Sequence, residues 1–99
     1  MAIVNRFSAV VAVEATANGD SFSPISGVGL PWATVNSNHI VLTPGRYVIE
    51  PSGITLITIY TRAGFTKDGD YPAKTIILSP TVDKLVYTKG AGVMKITKL

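Results

Sequence analysis

The chain has 99 residues, the length of one domain, and a formal net charge of +3, too mild for a dedicated nucleic-acid binder. It has no cysteine and a single histidine, His39, which excludes a disulfide scaffold, thiolate metal sites, a cysteine nucleophile and any His-His metal pair. With 46% hydrophobic and only 15% charged residues, a disordered chain is excluded as well.

Val (11), Ile (10) and Thr (11) are the dominant side chains, and good helix formers are scarce. β-branched residues suit a pleated surface, and no stretch carries a helical apolar stripe, so the chain reads as all-β. Residues 1–17 mimic a secretory signal, with Arg6, an apolar core and Ala15-Thr16-Ala17. That apolar core is too short and runs straight into Glu14. The segment instead alternates as a strand from Ala2 to Ala15, with Ile3, Phe7, Ala9, Val11 and Val13 on one face. Asn18-Gly19-Asp20 then predicts a turn.

A short strand is predicted between Phe22 and Val28, and a loop at Leu30-Pro31-Trp32. Another strand runs from His39 to Leu42, and Thr43-Pro44-Gly45 is a tight turn. Arg46–Glu50 forms the return strand, ended by Pro51-Ser52-Gly53. Ile54–Arg62 is the strongest strand and is apolar on both faces, so it calls for cover on two sides. Asp68-Gly69 predicts a hairpin tip. Strands follow at Lys74–Ser79, at Lys84–Thr88 and, after the turn Lys89-Gly90-Ala91-Gly92, at Val93–Lys98. The sum is one domain over residues 1–99, a small antiparallel β-sandwich or jelly roll of about eight short strands.

Chemistry is hard to find. His39 has no nucleophile motif beside it, so it reads as a structural histidine. Asp68-Gly69-Asp70 lacks the further oxygen ligands of a calcium loop. Gly27-Val28-Gly29 and Gly90-Ala91-Gly92 lack the third glycine and following helix of a phosphate-binding loop. No catalytic, metal or cofactor-binding residue is predicted, and the chain is read as a non-enzyme.

Association is better supported. A small domain usually carries about 25% charged residues, and this one is covered too thinly to keep its whole surface in water. Ile57, Ile59 and Tyr60, on the two-sided strand, are the predicted subunit contacts. The last sixteen residues hold four lysines and no acid, whereas the first 83 sum to −1. Lys84, Lys89, Lys95 and Lys98, with the lone Trp32, are therefore the predicted contacts to a shell or partner.

The segment His39-Ile40-Val41-Leu42-Thr43-Pro44-Gly45-Arg46-Tyr47-Val48-Ile49-Glu50 resembles a hairpin of phage head-fibre and tail-fibre domains with a tumour-necrosis-factor/C1q-like jelly roll. Leu42, Gly45, Tyr47 and Ile49 carry the match. The resemblance implies a trimeric structural module of a virion, assembled in the host cytoplasm. Such a module is a capsid decoration (cement) protein with the major capsid protein as partner and no membrane, cofactor or specific nucleic acid. The alternative is a carbohydrate- or receptor-binding fibre module, with Trp32, Tyr60, Tyr71 and Asp70 as ligand contacts.

Overall fold

The computed structural model describes residues 12–19 and 21–99, so residues 2–11 of the predicted first strand and Asp20 of the first turn lie outside the described residues. Eight antiparallel strands form one nearly closed, barrel-like sheet. They are β1 (Ala12–Asn18), β2 (Ser21–Ser26), β3 (Ala33–Val35), β4 (Ile40–Leu42), β5 (Tyr47–Thr61), β6 (Thr66–Pro72), β7 (Ile76–Leu78) and β8 (Lys84–Lys98).

The spine is the ladder between β5 and β8, each 15 residues long, which pair from Tyr47↔Lys98 to Thr61↔Lys84. The other edge of β8 is shared: β4 pairs with Lys84–Val86, and β1 with Ala91–Thr97. The other edge of β5 is shared in the same way, by β6 along Leu56–Thr61 and by β7 along Tyr47–Ile49. The sheet thus has two halves, β2-β1-β8-β5-β7 and β3-β4-β8-β5-β6, which share the spine. A bond from the Phe22 amide to the Ser37 carbonyl, 2.8 Å, joins β2 to the turn before β4 and helps to close the barrel.

Two predicted turns are in fact the crease of this spine. Pro51-Ser52-Gly53 and Gly90-Ala91-Gly92 lie inside β5 and β8, where the register shifts between Ser52 and Ile54 and again between Ile54 and Leu56. Bulges of this kind bend a strand and let it pass from one sheet half to the other. Gly53 (φ 82°) and Gly90 (φ 94°) occupy left-handed backbone, and a Cβ on Gly92 would overlap the Ser52 carbonyl oxygen. Along β8 the inward positions run Val86, Thr88, Gly90, Gly92, Met94, Ile96. The alternation is unbroken, and its two glycines fall where the bend leaves no room for a side chain.

The core draws on both halves. Val13, Ala15, Ala17 and Phe22 come from β1 and β2, and Ile40 and Leu42 from β4. The spine adds Tyr47, Ile49, Ile54, Ile57, Ile59, Val86, Met94 and Ile96. Ile57 and Ile59 are almost wholly buried here, which overturns their assignment as subunit contacts. The two register shifts change which side chains of β5 face inward, from Tyr47 and Ile49 through Ile54 to Ile57 and Ile59. Trp32 is likewise not an exposed contact. It is only 7% exposed and packs against Tyr47, ring centroids 5.4 Å apart. The Tyr47 hydroxyl donates to the Thr43 carbonyl at 2.7 Å, so the predicted Thr43-Pro44-Gly45 turn is tied to the core.

One buried polar atom disagrees with its surroundings. Thr88, 3% exposed, has a hydroxyl without a hydrogen-bond partner among the described residues. An unsatisfied buried hydroxyl costs about 1–3 kcal/mol. Thr88→Val is therefore expected to stabilise the domain by about 1 kcal/mol, raising the thermal midpoint by about 4–8 °C. Calorimetry of the variant checks this, and an unchanged or lower midpoint would refute it.

Candidate functional site: the outer aromatic face

In the half β3-β4-β8-β5-β6 the outer face also carries apolar side chains, set among polar ones. Val41 and Leu85 are buried yet stand outside the central cluster, on the opposite side of the sheet from Ile40, Leu42 and Val86. The register sets two rows across this face. One runs Asp70, Thr58, Tyr87, with His39 beyond; the next runs Lys67, Tyr60, Leu85, Val41, Thr34.

Cover for these rows comes from the chain itself. β5 and β6 are joined by a single 3-10 turn, Ala63–Phe65. The predicted hairpin tip at Asp68-Gly69 is instead within β6, where Gly69 pairs with Ile59 and Asp70 with Thr58. Gly64 (φ 75°) lets the turn reverse, and Phe65 (φ 48°) is the one described non-glycine residue with a positive φ. Such a conformation is uncommon for a bulky side chain and is retained only where the surroundings fix it. Here it lays the Phe65 ring on Tyr60, centroids 4.4 Å apart and planes 7° from parallel. Tyr87 meets both rings edge-on, at 5.2 Å and 6.1 Å, and His39 stacks on Tyr87 at 5.4 Å. Phe65 nonetheless stays 55% exposed.

Ion pairs border the cluster. Lys67 Nζ contacts Asp70 at 2.8 Å, Lys84 Nζ contacts Asp68 at 2.6 Å, and Arg62 contacts Asp83 at 3.3 Å. Hydrogen bonds from Lys67, and next from the Thr58 hydroxyl, hold the Asp70 carboxyl below its ordinary pKa; Lys84 and then Thr61 do the same for Asp68. His39 is held below its ordinary 6.5, first by burial and then by the Arg62 charge, so it stands neutral at pH 7. Its ring nitrogens face Asn36 at 3.0 Å and Asn38 at 2.6 Å. Among the described residues no group of three or more acids and histidines gathers around a common point.

The sequence-predicted contacts are dispersed rather than gathered. Lys84 is 17% exposed at the side chain and engaged with Asp68. Lys95 faces outward with Glu14 and Glu50 opposite it on the flanking strands. Lys98 lies over the Tyr47 ring, 5.1 Å from its centroid, in cation–π geometry. Only Lys89 joins the aromatic face. The four lysines therefore make no single basic stripe: strand alternation and the crease send them in different directions. Tyr71 pairs with Ile57 and packs against the core, so of the four predicted ligand contacts Tyr60 and Asp70 alone reach this face. Phe65 and Tyr87 were missed as site residues. The alternation Leu85-Tyr87-Lys89 marks Tyr87 as outward, whereas nothing local announces that Phe65 folds back onto Tyr60.

The molecule is thus a small, bent, nearly closed antiparallel sheet with an aromatic cluster on one outer face. No protein-family model, curated protein or solved structure matches the chain.

Proposed function

We propose that this chain is a structural virion protein, a homo-oligomeric, non-catalytic decoration module that binds a phage shell. The observation that carries the reading lies on the half β2-β1-β8-β5-β7. There the register aligns Ala12, Thr97, Val48 and Ile77 across four strands on the outer face, an uncharged row that ends on β7. Ile77 is 60% exposed, and among the described residues β7 is an edge strand that pairs with β5 alone. An exposed apolar residue on an open edge invites addition of another strand. A second copy of this chain is the occupant we assign. The low charge content and the resemblance of His39–Glu50 to fibre-domain hairpins support the same reading. A shell lattice presents many equivalent positions, so modest contacts add up through avidity.

Light scattering over a range of concentrations is expected to give a trimer mass for the native chain. For Ile77→Lys, whose new charge faces out from the edge, it is expected to give the mass of one folded chain. The native protein is also expected to sediment with phage shells. A single-chain mass at high concentration, together with failure to sediment with shells, would overturn the proposal.

A further inference from the structure

The aromatic face holds a cleft of about 210 Å³ lined by Thr58, Tyr60, Phe65, Tyr87, Thr88 and Lys89. We propose that this cleft binds one acidic pyranose residue of a glycan, and this does not depend on the oligomeric assembly.

Size is the first argument. Pockets for drug-sized ligands run to about 300–1,000 Å³, so this cleft suits a single six-membered ring. Surface chemistry is the second. The C–H groups on one face of a pyranose carry partial positive charge and pack well on the electron-rich face of an aromatic ring. Tyr60 covers one face of Phe65, yet Phe65 remains more than half exposed, so a ring is presented beside the cleft. The hydroxyls of Tyr60 and Tyr87 belong to residues of the same lining and match the sugar's own hydroxyls, while the Thr58 hydroxyl is given to Asp70.

Charge is the third argument. Arg62, Lys67 and Lys84 are each held by an aspartate, and His39 is neutral. Lys89 lines the cleft and makes no ion pair among the described residues, and Asp70, whose carboxylate feels its charge, is already paired with Lys67. One cation is enough for a single carboxylate, whereas a nucleic-acid strand needs a series of cations to track its phosphates. The strained backbone at Phe65 fits the same picture, since such outliers concentrate at ligand contacts.

The test is an amide chemical-shift titration of the full chain with glucuronate, with glucose and with an oligothymidylate. Glucuronate is expected to shift the amides of Thr58–Phe65 and Tyr87–Lys89 saturably in the millimolar range, and glucose to bind several-fold more weakly. Phe65→Ala is expected to weaken glucuronate binding about tenfold while the rest of its spectrum stays native. Lys89→Gln is expected to remove the preference for glucuronate over glucose. Absence of saturable shifts, unchanged affinity in Phe65→Ala, equal affinity for the two sugars in the native chain, or tighter oligothymidylate binding at the same residues would each overturn the inference.

Discussion

Gly92→Ala is expected to destabilise the domain by about 3 kcal/mol or more, at or above the upper end of ordinary overpacking. The new methyl group would overlap the Ser52 carbonyl oxygen and crowd the backbone of Gly53. These are main-chain atoms of the partner strand, so relief requires the spine itself to part. The position also lies midway along a ladder that carries both sheet halves, and both lose their reference if it shifts. Gly19→Ala makes a useful control, because a Cβ there meets nothing within 4 Å among the described residues. Its cost is expected to be limited to the strain of its left-handed backbone (φ 66°). Denaturant unfolding of the two variants checks the ordering; equal costs would show that the crease tolerates a side chain.

Ile57→Ala is the second large effect, expected at about 2–5 kcal/mol. Ile57 is fully buried between the sheet halves, opposite Thr88 on β8 and Tyr71 on β6. The same experiment separates two roles for this residue. If Ile57 were a subunit contact, truncation would lower the mass of the assembly and leave the unfolding midpoint of the separated chain unchanged. As a core residue it lowers the midpoint at every protein concentration, with no preferential dissociation. Light scattering alongside urea unfolding distinguishes the outcomes, and dissociation without loss of chain stability would return Ile57 to an interface.

The contrast between β8 and β5 shows what the residues alone disclose. On β8 the alternation Val86, Thr88, Gly90, Gly92, Met94, Ile96 persists through the glycines, so continuity was present in the pattern. A glycine pair reads as a turn only when the strand beyond it changes face, and here it does not. On β5 the face does change, twice, at the register shifts on either side of Ile54. A period-two reading then splits Ile54 from Ile57 and Ile59 and sends half of the core outward. The all-β class and most strand positions were legible because they rest on local propensity and alternation. The aromatic face was less legible, since it needs Phe65, Tyr87 and His39 to meet from three separate segments. Trp32 misled for a related reason: a proline-flanked tryptophan looks like a loop, and only Tyr47 beneath it makes it a plug.

The shared edges of the spine also govern the order in which the domain can assemble. β1, β4 and β5 all depend on β8 for ladder partners, and β8 follows every one of them in the chain. The hairpins β1-β2, β3-β4 and β5-β6 can close early as separate pieces, each too small to hold together in water. Cooperative folding must therefore wait for β8, and until then three strand edges stay open to pairing between chains. The interval before β8 docks is therefore the period of greatest exposure to pairing between chains.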